Sequence, residues 1–154
     1  MLKTLVAAVA VALAMVGLAT AATTKSETYK FKAKLTAGAE VPKPTGVPAA
    51  ATGTFTATTL EPKTGKIHMT WKLTFAHLSG PGLQAHIHLG KPGKAGNVLV
   101  ALCAPCRSGQ TGKAVVARSV EDQLEKGQTY VNVHTKKNLA GEIRGQVKLA
   151  APSS

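Results

Sequence analysis

The chain has 154 residues and carries 19 lysine and arginine residues against 7 aspartate and glutamate residues, which gives a formal net charge of +12 at pH 7. This length fits one domain with a hydrophobic core, and the charge favours anionic partners without specifying a fold. Nucleic acid is not the expected partner, because the basic residues are scattered along the chain and aromatic residues make up only 4% of it.

The N-terminus has the features of a secretory signal peptide. Lys3 precedes a short apolar run and an A-x-A site, a pattern that predicts cleavage after Ala21. The run is short for a membrane anchor, which needs about 20 apolar residues. We therefore expect residues 1–21 to be a signal peptide and 22–154 to be one domain. The mature protein should be exported, periplasmic or secreted, without a transmembrane segment, and an anionic envelope component or a protein is its expected partner.

Two segments alternate between apolar and polar residues in the manner of half-buried strands. The first runs from Tyr29 to Leu35 and the second from Ile67 to Phe75. Such alternation places the apolar residues on one face of a strand and the polar residues on the other. We expect three lysines of the first segment to face outward: Lys30, Lys32 and Lys34. Trp71 should be mostly buried among apolar residues of its own strand: Ile67, Met69, Leu73 and Phe75.

Further strands follow from shorter patterns. Residues 53–60 form a threonine-rich strand that continues into a turn at 62–65, which indicates a hairpin. Residues 83–89 alternate again. Val98–Leu102 is an apolar run that is compatible with a buried strand.

The C-terminal part contains one helical signal and two closing strands. Ser119 has the character of a helix N-cap and Gly127 lies where a helix would stop, so 120–126 should form one or two helical turns. The closing strands are Thr129–Thr135 and Glu142–Leu149. Seven to eight short strands with one short helical segment predict an all-β fold, an antiparallel β-sandwich or a Greek-key barrel.

Three blocks of the sequence resemble the CHRD (chordin) domain family. The first block is Ala39–Pro42, the second combines Leu78–Pro81 with Ala85–Gly90, and the third combines Tyr130–Thr135 with Gly141–Gln146. The resemblance implies a β-sandwich domain of the kind found singly in many bacterial exported proteins. It implies little chemistry, because the family has no generally agreed enzymatic activity.

Three histidines share a pattern that suits a metal ion. His86 and His88 lie two residues apart on one strand, so both imidazoles point to the same face, and His134 lies on the polar face of a closing strand. If these strands are neighbours, the three rings can converge on the outer wall and suit copper or zinc. His68 shares a face with threonines and a lysine, and His77 lies at a strand end, so neither is included.

Two interpretations of these histidines remain open. As a metal site they are similar to copper-zinc superoxide dismutases, which also have an H-x-H strand and a distant histidine, although their zinc-binding loop has no counterpart here. Alternatively, the rings hydrogen-bond to loop backbone and order the surface. Glu142 is either a fourth ligand or an acceptor that orients a histidine ring, or it forms a near-surface ion pair with Arg144.

Cys103 and Cys106 are the only cysteines of the chain. In an exported protein this pair predicts a local disulfide that orders its loop. Pro105 gives the segment a C-x-P-C pattern, but redox-active pairs of this kind sit at the start of a helix. The glycine-rich residues that follow Cys106 do not predict a helix, so thioredoxin-type activity is not expected.

The sequence contains no recognisable nucleophile with its base, no paired catalytic carboxylates and no phosphate-binding glycine loop. We therefore expect a non-enzymatic binding or structural module of the cell envelope. The alternative is a metalloprotein that uses a surface cluster of His86, His88 and His134, either a copper or zinc carrier or a weak redox enzyme of the superoxide dismutase type.

Overall fold

The computed structural model describes residues 26–62 and 64–150, so the predicted signal peptide lies outside the described residues. Its strands are β1 (Glu27–Thr36), β2 (Thr52–Glu61), β3 (Ile67–Ala76), β4 (Gln84–Leu89), β5 (Val98–Cys103), β6 (Gln110–Val116), β7 (Thr129–His134), β8 (Ile143–Gln146) and β9 (Lys148–Leu149). A 3-10 turn (Ala37–Ala39) follows β1, and α1 (Arg118–Glu125) lies between β6 and β7. Within the described part, no helix has the length and apolar character needed to cross a membrane.

All nine strands belong to one antiparallel sheet. Eight of them follow the order β5-β4-β7-β8-β1-β2-β3-β6, and β9 pairs with β1. The two edge strands β5 and β6 approach each other, so the sheet is nearly closed into a barrel. The all-β prediction with one short helix is confirmed, and the barrel is the form that the fold takes.

The alternating strands β1, β2 and β3 form the centre of the core. Their register places Phe31 opposite Ala57, and Ala57 opposite Trp71. These side chains point into the barrel and are buried, whereas Lys30, Lys32 and Lys34 are exposed on the outside as predicted. Trp71 keeps only 6% of its surface exposed, which confirms its predicted place in the core.

Trp71 also explains a glycine in the neighbouring strand. Gly112 of β6 pairs with Trp71, and a Cβ atom at this position would lie 2.3 Å from Cζ2 of the indole. Two heavy atoms cannot approach this closely, so a side chain at Gly112 would displace the ring. The glycine allows the indole to lie against the β6 backbone.

Val98–Leu102 forms a strand as expected, but the expectation that this strand is buried is wrong. The segment forms β5, an edge strand whose side chains are half-buried or exposed, with Val98 50% exposed. It has one hydrogen-bonded neighbour, β4, and the register between the two strands is interrupted by bulges. An apolar run does not itself indicate which strand becomes an edge.

The ends of two other elements differ from their predictions. The helix begins at Arg118 and is capped by Ala117 without a side-chain hydrogen bond, so Ser119 lies inside its first turn. Gly127 stops the helix as predicted, in the left-handed conformation at φ 63°. The last predicted strand is split at Val147, whose N–H donates to the carbonyl of Thr129, and the two parts are β8 and β9.

The predicted pairing of the cysteines is confirmed. The sulfur atoms of Cys103 and Cys106 lie 2.07 Å apart, at the end of β5. The N–H of Cys106 donates to the carbonyl of Gly82, so the bridged turn is attached to the segment that precedes β4.

Candidate metal centre

Strand β7 is buried on both of its faces, which creates the setting of the candidate site. Its inward residues Val131 and Val133 pack in the barrel, and its outward residues Tyr130, Asn132 and His134 are also buried. The outward residues lie beneath two loops, 90–97 between β4 and β5 and 135–142 between β7 and β8. A layer of polar side chains is thereby enclosed between the barrel wall and the loops.

The register of β4 and β7 brings the three predicted histidines together. His86 pairs with Asn132 and His88 pairs with Tyr130, so all three imidazoles lie on the outer side of adjacent strands. One ring nitrogen from each of His86, His88 and His134 lies within 4.8 Å of the other two. Nδ1 of His86 and Nε2 of His134 are 3.2 Å apart.

The cluster is covered, which corrects its prediction as a surface cluster. His88 is 8% exposed and His134 is 5% exposed, whereas His86 is only half-buried. The loops explain why His88 and His134 are less exposed than His86, because these two rings each hydrogen-bond to a loop carbonyl. Only the side of His86 is open to solvent.

Those loop carbonyls determine which nitrogen of each ring is free. Nδ1 of His88 donates to the carbonyl of Gly96 at 2.9 Å, and Nδ1 of His134 donates to the carbonyl of Leu139 at 2.8 Å. A neutral imidazole that donates from Nδ1 carries a lone pair on Nε2. Nε2 of His88 is buried and has no hydrogen-bond partner within the described residues. The buried polar layer therefore contains a lone pair with nothing to bind.

Asn132 adds a second unmatched contact. Its Oδ1 lies 2.9 Å from Nε2 of His134, and the buried carboxylate of Glu40 lies beside the same side chain, with its Oε2 lacking a hydrogen-bond partner among the described residues. With Nδ1 of His134 as the donor to Leu139, Oδ1 and Nε2 are two acceptors that face each other, and the ring nitrogen that could donate to Nε2 is Nδ1 of His86, 3.2 Å away. A cation between them would bind both lone pairs.

The protonation of the rings suits a cation. Burial lowers the pKa of His86 to about 4, and the neighbouring His134 and His88 contribute in the same direction. Burial also lowers the pKa of His134, against the effect of its hydrogen bond to the Leu139 carbonyl, which raises it. At neutral pH both rings are therefore uncharged, which is the form that ligates metals.

An aromatic stack holds His88 in place. Its ring is parallel to that of Tyr130, with an interplanar angle of 6° and centroids 4.8 Å apart. The guanidinium carbon of Arg144 lies 3.4 Å from the centroid of the same tyrosine ring, in a cation–π contact. Arg144 also donates to the carbonyls of Lys91 and Lys94, so it ties the first loop down over the stack.

Glu142 has a different environment from the one predicted. Its carboxylate is fully buried and accepts hydrogen bonds from the N–H and the hydroxyl of Ser79, the hydroxyl of Thr135 and the amide of Asn138. Arg144 is buried as well and bonds elsewhere, so the two residues do not form an exposed ion pair. Among the described residues, no hydrogen bond joins Glu142 to a histidine.

The carboxylate that lies beside Asn132 is that of Glu40, which the sequence did not single out. Asn132, Tyr130 and Arg144 were not proposed as partners of the histidines either. Two signals could have pointed to them: Glu40 lies in the first block of the CHRD resemblance, and Tyr130 and Asn132 share the face of His134. His68 and His77 are exposed and lie outside the cluster.

The hydrogen bonds to Glu142 imply a dependence of stability on pH. Burial alone would raise the pKa of this carboxyl, but the bonds from Ser79, Thr135 and Asn138 outweigh it and lower the pKa below its usual value. A lowered pKa contributes stability above the pKa of the unfolded state, about 4.3, and this contribution is lost as the pH falls further. Between pH 5 and pH 2 the stability of the native chain should fall more steeply than that of Glu142→Gln. Parallel curves from urea unfolding would contradict this assignment.

The protein is a small antiparallel β-barrel. Its outer wall carries three convergent imidazoles in a polar layer that two loops cover. The chain belongs to the CHRD domain family, whose family model matches residues 31–147. The matched segment contains all three blocks of the sequence resemblance. Comparison with the curated proteins and with the solved structures gave no match.

Proposed function

We propose that this CHRD-domain protein is an exported, non-enzymatic binding module that holds one copper or zinc ion between His86, His88 and His134. The observation that carries the proposal is the buried Nε2 of His88, which has no partner while its Nδ1 is anchored to Gly96. A buried polar atom without a partner is costly, and a bound cation would remove that cost. Export rests on the signal-peptide features of residues 1–21.

The donor set favours copper or zinc over harder cations. Imidazole nitrogens suit these two ions, whereas magnesium and calcium prefer oxygen. In metal sites a ligating histidine typically donates its other N–H to a carbonyl or carboxylate, as His88 and His134 do here. Nitrogens within 4.8 Å of one another need only small side-chain movements to reach bonds of about 2.0–2.1 Å. Oδ1 of Asn132 is placed to supply a neutral fourth ligand.

The covered position of the cluster favours holding an ion over turning over a substrate. Two of the three rings lie under loops, and only His86 is half-buried. An ion can enter or leave past this one side chain, while a reacting molecule has limited access to the others. A binding or carrier role is therefore preferred to a redox enzyme.

The test is a titration of the purified mature protein with Zn²⁺ and with Cu²⁺ in competition with a chromophoric chelator. We expect one ion per chain. His88→Ala and His134→Ala should each weaken binding more than about 100-fold, because losing even a partner that only orients a ligand costs 10–100-fold. His68→Ala is the matched control and should bind normally, since His68 is exposed on β3. The proposal fails if the native protein binds neither ion, or if His68→Ala weakens binding as much as His88→Ala.

A second measurement separates the carrier from the redox enzyme. The copper-loaded native protein and copper-loaded His68→Ala should leave the rate of superoxide decay near that of the metal-free protein. A large acceleration by both, lost in His88→Ala, would replace the binding role by the redox role.

A further inference from the structure

The outer wall of the barrel is divided into two unlike parts. The β4–β7–β8 part is covered by the loops over the histidines, whereas the β1–β2–β3–β6 part carries no covering loop. Its outward positions hold six exposed lysines with threonines between them: Lys30, Lys32, Lys34, Lys72, Lys113 and Lys148. We call this surface the lysine–threonine face.

The register arranges these lysines in rows that cross the strands. One row runs from Lys148 on β9 to Lys32 on β1, then through Thr56 on β2 to Lys72 on β3. The next row runs from Lys30 through two threonines to Lys113 on β6. With strands about 4.8 Å apart, the charges extend about 19 Å across the sheet. The sequence alone does not predict this face, because its lysines come from segments far apart in the chain.

No carboxylate balances the face. All seven acidic residues lie elsewhere. Three are buried (Glu40, Glu121 and Glu142), and two others belong to α1. The last two, Glu27 and Glu61, occupy opposite positions in the register at the far end of β1 and β2. The one ion pair between described residues joins Arg118 to Glu61. The six ammonium groups are therefore available to an anionic partner.

The shape and composition of the face indicate what kind of anion fits. A linear polymer would require charges arranged along a single line. The charges of this face are instead spread over two dimensions. Among the described residues of this face, Phe31, Phe55 and Trp71 point to the core. The aromatic ring that points outward is the imidazole of His68 at one end of β3, so sugar rings or bases have little to stack on. A planar array of phosphates would meet all rows at once. We propose that the lysine–threonine face docks the protein on a membrane surface rich in anionic phospholipids.

The proposal is independent of the histidine site and can be tested with vesicles. Native protein should sediment with phosphatidylcholine vesicles that contain phosphatidylglycerol, should not sediment with phosphatidylcholine alone, and should be released by added salt. The variant Lys32→Ala/Lys34→Ala/Lys72→Ala should bind about 100-fold more weakly, since each lysine near an anionic surface contributes about fivefold. His88→Ala should bind like the native protein, with or without a chelator.

A matched triple variant separates the face from the overall charge. Lys91→Ala/Lys126→Ala/Lys136→Ala removes the same charge from exposed positions outside the face, and it should weaken vesicle binding by less than about fivefold because these lysines do not lie on the docking face. Circular dichroism should show that both triple variants are folded. Equal weakening by the two variants would overturn the proposal. Binding to soluble polyglutamate or to a carboxylated polysaccharide, without sedimentation on vesicles, would also overturn it and assign the face to a polymer.

Discussion

Replacing Glu142 by alanine should destabilise the native state by about 3 to 5 kcal/mol. The carboxylate is fully buried and accepts four hydrogen bonds from Ser79, Thr135 and Asn138. Its loss leaves these donors without an acceptor in a site that excludes most water, and each unsatisfied buried donor costs about 1 to 3 kcal/mol. Partial relaxation of the loops reduces the sum to the expected range.

The free energy of unfolding, measured with urea at pH 7, checks this expectation. Glu142→Gln provides the control, since it keeps the shape and one acceptor oxygen and should lose about 1 to 2 kcal/mol. Hydrogen exchange should increase for the amide of Ser79, which donates directly to the carboxylate. A loss below 1 kcal/mol for Glu142→Ala would show that the carboxylate does not hold the segment at Ser79 to the 135–142 loop.

Truncation of Trp71 should have an effect of similar size for a different reason. The indole is 6% exposed and packs among Ile67, Met69 and Leu73 in the core. Trp71→Ala removes a large apolar side chain and leaves a cavity, because the β6 backbone at Gly112 cannot move in to fill it without breaking the β3–β6 pairing. Substitutions of this kind cost about 3 to 5 kcal/mol.

The chain has a single tryptophan, so its fluorescence reports on this position alone. The native protein should emit at the short wavelength of a buried indole and shift to longer wavelength on unfolding. Leu60→Ala is a suitable control for the stability measurement, because Leu60 lies on β2 but is 47% exposed, and its truncation should cost about 0.5 kcal/mol or less. Native emission like that of a hydrated indole would contradict the placement of Trp71.

The parts of the fold that could be predicted are those whose two faces meet different surroundings. β1 and β3 alternate strictly because one side packs in the barrel and the other meets water. β5 was predicted as buried because an apolar run carries no information on strand order, and strand order alone makes β5 an edge. The helix start was misplaced since Ala117 caps α1 without using a side chain.

The candidate site could be predicted only in part, for a related reason. Spacing and parity were enough to select His86, His88 and His134, since a period of two fixes the face of each ring once the strands pair. The partners of the rings come from distant segments, since the carbonyls of Gly96 and Leu139 belong to two different loops. Glu40, whose carboxylate lies beside Asn132, follows β1. No periodicity links such positions, so the sequence pattern does not predict that loops cover β7 and bury this layer.

The position of β1 in the sheet has a consequence for how the chain folds. On one side β1 pairs with β2, the next strand along the chain, whereas on its other side it pairs with β8 and β9 at the opposite end of the described segment. Hairpins between adjacent strands can form in about 1–10 μs, but pairings between distant segments must first overcome the entropy of closing long loops. The β1–β2–β3 unit should therefore form early, and closure of the barrel should wait until β8 has been synthesised.

The histidines follow the same order, since His86 and His134 are 48 residues apart and meet only when β4 pairs with β7. Before that pairing, only two of the three proposed ligands, His86 and His88, are near each other. The proposed metal site is therefore complete only after β7 has joined the sheet.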